Sequence, residues 1–131
     1  DEEGYVRIVG RKKDMYIVGG FNVYPAEVEE VLFTHPDVQN VSVVGVPDRV
    51  MGEVGMAFLI PREGHTPDPQ EVVDFCARRI AAFKVPRYVV VGQEFPMTSS
   101  GKVQKYKLAE RGKELVASGQ APRIEPRKPG R

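Results

Sequence analysis

Apolar residues occur along this chain in short clusters, and their spacing switches between period two and period 3.6. Tyr5–Val9 and Met15–Val18 read as strands joined by the charged connector Gly10-Arg11-Lys12-Lys13-Asp14, which predicts a small hairpin at the entrance. Pro25 in first-turn position and the run Ala26-Glu27-Val28-Glu29-Glu30-Val31-Leu32 predict a helix. Its acids sit near the positive N-terminal end, and Val28, Val31 and Leu32 form its apolar stripe. It stops before His35-Pro36. Val41–Val46 and Gly55–Ile60 follow as β segments separated by the turn-rich stretch Pro47–Gly52, the first apolar enough to be covered on both faces.

A second helix is predicted after the Gly64–Pro67 loop, with Asp68 as N-cap, Pro69 in the first turn and Glu71 completing a capping pair. Val72, Phe75, Cys76, Ile80 and Phe83 then recur at helical spacing. Arg87–Val91 reads as a further strand, Gly92–Gly101 as a loop and Val103–Arg111 as a short helix. Large apolar residues thin out from Gly112, and Pro122, Pro126 and Pro129 among Arg and Lys predict a flexible tail over residues 113–131. The expected architecture is an α+β domain over residues 1–112. It comprises a small entrance β-hairpin followed by a small mixed β-sheet packed with two to three helices.

With 131 residues, 41% of them hydrophobic, the chain can build one modest core and not two. Nineteen Lys and Arg against eighteen Asp and Glu leave a net charge of +1, too little for a field that gathers polyanions, so no nucleic-acid partner is expected. Gly52-Glu53-Val54-Gly55 has the form of a KH-type RNA loop but puts an acid where a phosphate backbone would pass. The single cysteine, Cys76, excludes an internal disulfide and reads as a core thiol, and two histidines leave no metal-ligand spacing, so no metal site is expected. No apolar run is long enough to span a bilayer and no basic-apolar leader opens the chain. The expectation is a soluble, cytoplasmic protein. Because the chain opens on Asp1 without Met, a piece of something longer is also expected.

Three polar places stand out. Thr98-Ser99-Ser100-Gly101-Lys102 is a run of small residues ending in a lysine, able to carry one ammonium beyond the domain surface or simply to form a β-turn. A Walker loop is excluded because Pro96 and Val103 stand where that pattern needs Gly and Ser or Thr. Gly10-Arg11-Lys12-Lys13-Asp14, a charged connector with the character of a hinge, is followed by Gly19-Gly20-Phe21-Asn22, whose paired glycines permit positive φ and close approach of a ligand to the backbone, or form only a tight hairpin and an ordinary turn. Phe83-Lys84-Val85-Pro86-Arg87 sets two cations around a stiff Val-Pro step, suited to an anion.

Several segments, taken in order, resemble the C-terminal domain of acyl-CoA synthetases. They are Gly4-Tyr5 with Gly10-Arg11-Lys12-Lys13-Asp14, the stretch Gly19–Glu29, Val44-Gly45-Val46-Pro47-Asp48 with Gly52-Glu53, Phe83–Arg87 and Pro96–Lys105. These enzymes belong to the adenylate-forming superfamily that also holds luciferases and peptide-synthetase adenylation domains. The resemblance implies a mobile lid behind a larger N-terminal domain, absent here, that binds most of the ATP and Mg²⁺. ATP and a carboxylic acid, expected to be a fatty acid, give an acyl-adenylate, and after lid rotation coenzyme A takes the acyl group.

By the same resemblance Lys102 is the catalytic lysine of adenylation, Arg11 lies near the nucleotide ribose and Lys13 is the hinge. Gly19 and Gly20 line the pantetheine passage, and Lys84 and Arg87 meet coenzyme A phosphates. The implied partners are the chain's own N-terminal domain, the acid, ATP and coenzyme A. Two alternatives stay open: an adenylation domain that loads a carrier protein, and a non-catalytic α+β binding module.

Overall fold

The computed structural model describes residues 15–127. Its five strands form one sheet. β1 (Tyr16–Val18) and β2 (Phe21–Val23) make a hairpin across Gly19-Gly20. β3 (Val38–Asp48) and β4 (Gly52–Pro61) make a long antiparallel hairpin in the middle, and β5 (Tyr88–Val91) runs parallel to β4 from Met56 to Leu59. β4 meets β3 along one edge, while its other edge is divided between β1, at Gly52, and β5. The sheet is mixed, as expected. Buried residues run consecutively through Val41–Val44 and Val54–Leu59, the mark of strands covered on both faces.

Among the described residues three α-helices pack on this sheet: α1 (Pro25–Leu32), α2 (Pro69–Ala77) and α3 (Lys105–Ser118). α1 and α3 contact β3, and α2 contacts β5 and α1. Gly112 of α3 lies so close to the sheet that a Cβ there would stand 2.7 Å from the Met56 sulfur. Beneath the sheet's other face, Tyr16 crosses the directly paired Gly45 and Gly55, where a Cβ on Gly45 would sit 2.5 Å from the Tyr16 Cβ. A side chain at either glycine would displace the ring.

The structure corrects several sequence expectations. Within the described residues the hairpin is β1–β2; its expected partner strand Tyr5–Val9 lies outside them. Only residues 49–51 form the turn between β3 and β4, because the Asp48 carboxylate accepts the Val50 and Met51 N–H groups and closes the loop tightly. Asp68 and Glu71 make no capping bond; Glu71 instead accepts from the imidazole of His35. α2 ends at Ala77, so Ile80 and Phe83 lie beyond it. Phe83 falls in a 3₁₀ turn over Ala82–Lys84.

The largest correction concerns the C-terminal side. α3 does not stop at Arg111 but runs to Ser118, where Gly119 in the left-handed region (φ +80°) ends it. Nor is the following segment loose as far as residue 127. The Ile124 N–H donates to the Arg87 carbonyl at 2.7 Å, Arg123 donates to Asp48, Gln70 donates to the Glu125 carbonyl, and Arg127 donates to Asp74 through both backbone and guanidinium. A proline- and arginine-rich stretch with little apolar surface is thus fixed by polar contacts to four distant residues.

Candidate functional site

Lys102 stands at the end of a short hairpin built by its own backbone. Met97 pairs with Val103, the Thr98 N–H donates to the Lys102 carbonyl at 2.8 Å, and the Lys102 N–H donates to the Thr98 hydroxyl at 3.1 Å. Gly101 takes φ +89°, which the turn requires and an L side chain resists. The loop is therefore a tight turn, as one of the two sequence readings has it. It still presents Lys102 to solvent, with no ion-pair partner among the described residues.

Beneath it lies a groove of about 620 Å³ lined by Tyr16, Val43, Glu53, Lys102 and Lys105, among others. Lys105 is the most tightly bound cation there. Its ammonium ion-pairs with Glu29 of α1 and donates to the Val43 carbonyl at 3.0 Å, while the same Glu29 oxygen accepts the Val43 N–H at 2.9 Å. Sequence reasoning missed this arrangement, because Glu29 and Lys105 are 76 residues apart.

The Gly19–Asn22 part of the second polar place comes together with the third. Phe21, beside Gly20, stacks on Phe83, beside Lys84, with ring centroids 4.8 Å apart. Gly19 and Gly20 both take positive φ, at +56° and +92°, and a Cβ on Gly20 would meet nothing within 4 Å. Ile17, Phe21 and Tyr24 are exposed around this turn, Phe21 by 59%. The two cations are engaged locally: Lys84 pairs with Glu27 at 2.7 Å, and Arg87 pairs with Glu125 and donates to the Ala82 carbonyl. Burial, and then the charge of Arg123, lower the Arg87 pKa. None of these residues lines the groove under Lys102, so the domain carries two separate candidate surfaces. Arg11 and Lys13 lie outside the described residues.

Sequence spacing gave no sign of a third cluster. His35, 2% exposed, and His65 join Asp37 and Glu71 at the ends of α1 and α2. A metal does not fit it. The His35 Nδ1 accepts the Asp37 N–H at 3.0 Å, so its proton must be on Nε2, where it is donated to Glu71 at 2.7 Å. A metal held at Nε2 would need that nitrogen bare and the proton on Nδ1, which the Asp37 N–H directed at Nδ1 opposes. Cys76 is fully buried, and burial pushes its thiol up to about 12, which removes it as a nucleophile.

Comparisons with known proteins agree on one group. A sequence model of the AMP-binding enzyme C-terminal domain matches residues 27–102. The chain is 50% identical over 115 residues to the putative acyl-CoA synthetase YngI of Bacillus subtilis, covering 88% of this chain and 21% of that protein. It is 51% identical over 110 residues to the mitochondrial medium-chain acyl-CoA ligase ACSF2 of Bos taurus, covering 84% of this chain and 18% of that one. Among solved structures, apo MatB from Rhodopseudomonas palustris superposes with a TM-score of 0.76 at 41% identity, over 88% of this chain and 23% of its own. The Mycobacterium tuberculosis fatty acyl CoA synthetase gives 0.70 at 38% identity, over 76% and 20%. The chain thus spans about a fifth of the length of the relatives it matches.

Proposed function

The chain belongs to the AMP-binding enzyme C-terminal domain family, and from that premise we propose that it is the mobile lid of an ATP-dependent acid–coenzyme A ligase. In this reading a carboxylate oxygen of the acid attacks the α-phosphorus of ATP and pyrophosphate leaves. The coenzyme A sulfur then attacks the acyl carbonyl and AMP leaves. The large domain holds the acid, most of the nucleotide and its Mg²⁺. This chain supplies Lys102 to the first step and, after turning about Lys13, the Gly20 turn to the second. A fatty acid is the proposed substrate, in keeping with the names of two of the relatives, a medium-chain acyl-CoA ligase and a fatty acyl CoA synthetase.

The observation that carries this reading is the placement of Lys102: an exposed ammonium at the end of a self-bonded turn, without a counter-ion among the described residues. A cation held in this way is available to a pocket built by another domain. There it offsets charge growing on the carboxylate and α-phosphate oxygens. The Gly20 turn supports the second step, since its backbone is open to a ligand and is ringed by exposed Ile17, Phe21 and Tyr24, an apolar surface suited to docking on a larger body. In this step Lys84 and Arg87 exchange Glu27 and Glu125 for coenzyme A phosphates.

The test uses the full-length protein. Lys102→Ala should slow acid-dependent pyrophosphate release about 10²- to 10³-fold, while thioester formation from supplied acyl-adenylate falls by no more than a few-fold. Unchanged pyrophosphate release would remove the reading. Free coenzyme A failing as acceptor, with a carrier-protein thiol succeeding, would change the acceptor and leave the role of Lys102 intact.

A further inference from the structure

α3 opens against the usual rules. Its N-cap, Gln104, makes no side-chain bond, and its first turn holds Lys105 and Lys107 and no acid, which sets positive charge at the positive end of the helix. A local rule broken in this way signals a residue kept for something other than helix stability. Lys105 is that residue. With side chains only 24% and 18% exposed, Lys105 and Glu29 meet at Val43 and between them satisfy both its N–H and its carbonyl. The contact ties α1, the outer edge of β3 and the start of α3 to one point.

From that point a short chain of bonds runs back to Lys102. The Gln104 N–H donates to the Pro96 carbonyl at 2.8 Å, Val103 pairs with Met97, and the Lys102 carbonyl accepts the Thr98 N–H. Nothing else among the described contacts fixes the base of this hairpin to the sheet edge by charge. We propose that Lys105, locked by Glu29 onto Val43, is a positioning residue that sets the aim of Lys102 during acid activation. The proposal rests on the role given to Lys102 above. Reacting groups tolerate little displacement, so loosening the base of the hairpin lowers turnover without altering substrate binding by the large domain.

The experiment compares Lys105→Met, Lys105→Arg, Glu29→Gln and Lys102→Ala in the full-length enzyme, with pyrophosphate release and thioester formation from supplied acyl-adenylate measured separately. Lys105→Met and Glu29→Gln should lower kcat for pyrophosphate release about 10- to 100-fold, with KM for ATP and acid and the thioester step held within about twofold. Lys105→Arg should recover most of the loss. In a Lys102→Ala background, Lys105→Met should change nothing further, because its effect passes through Lys102.

The proposal is overturned if Lys105→Met matches wild type, if both half-reactions fall together, or if the losses multiply in the double variant. It is also overturned if Lys105→Met and Glu29→Gln both lose cooperative unfolding, since the contact is then a stability element alone. Pyrophosphate release that survives Lys102→Ala would instead overturn the underlying reading, and with it the role of Lys105.

Discussion

Tyr16 lays its ring across Gly45 and Gly55, and its phenol oxygen occupies the space that a Cβ on Gly55 would need. That hydroxyl is buried without a hydrogen-bond partner among the described residues, and burial, followed by the charge of Glu29, raises its pKa. The two glycines conflict with different parts of the ring. At Gly45 the near atoms are the Tyr16 Cβ at 2.5 Å and Cγ at 2.7 Å; at Gly55 the nearest is the hydroxyl.

Each of Gly45→Ala and Gly55→Ala should therefore destabilise the domain by about 1–3 kcal/mol, the usual cost of overpacking. Tyr16→Phe should restore most of the loss at Gly55 and little at Gly45. Urea denaturation of the single and double variants decides it, and equal rescue at both positions would contradict this packing.

Gly20 separates conformational strain from steric block. At φ +92° a side chain costs about 1–2 kcal/mol, but nothing within 4 Å opposes it, so Gly20→Leu should fold. On the proposed function, this variant of the full-length enzyme should keep pyrophosphate release and lose thioester formation by about tenfold or more, because the added bulk would narrow the proposed coenzyme A passage at Gly20. Equal loss in both half-reactions would show that the position serves the fold and not the passage.

Asp74 and Asp48 make the attachment of residues 119–127 depend on acid. Burial pushes the Asp74 carboxyl up, but the Arg127 N–H, the Arg127 guanidinium and the Gln70 amide outweigh it and hold the group below the ordinary carboxylate range. Asp48 is lowered against burial in the same way by the Met51 N–H and Arg123. A carboxylate depressed on folding contributes stability above its unfolded value, near 3.9, and loses that contribution as pH falls through the folded value. Asp74→Asn should therefore lower the urea midpoint at pH 7, and the difference should shrink as pH falls through the lowered folded value of Asp74. A midpoint difference that is flat with pH would contradict the pairing.

What could be read in the sequence follows from the range of the forces involved. Pro25 and the stripe Val28, Val31 and Leu32 mark α1 within a few residues, and the runs of Val in β3 announce burial on both faces. Cys76 falls where its apolar neighbours put it. α3 runs past Arg111 although large apolar residues thin out from Gly112, because glycine there admits the Met56 sulfur and Leu108, Ala109, Leu115 and Val116 hold the helical spacing on either side of it. The order of residues 119–127 depends on Arg123 and Arg127 reaching Asp48 and Asp74, 75 and 53 residues away. No local pattern records such contacts. Lys102 was legible as a motif and the β-turn that carries it as one of two open readings, which the bonds between Thr98 and Lys102 decide. The pairing of Lys105 with Glu29, like those of His35 with Glu71 and His65 with Asp37, exists only after the fold has formed.

The divided edge of β4 has a mechanical consequence. The β1–β2 hairpin joins the sheet through the single register pair Val18 with Gly52, the Gly19 N–H bond to the Met51 carbonyl and the Ile17 N–H bond to Glu53, whereas β5 is paired separately from Met56 onward. The hairpin carrying Gly20 is thus held to the β3–β4–β5 ladder mainly by the buried side chains of Tyr16, Val18 and Val23 and little by backbone pairing. Its backbone amides should exchange with solvent deuterium well before those of β4, because side-chain burial holds it in place while few ladder bonds protect its backbone.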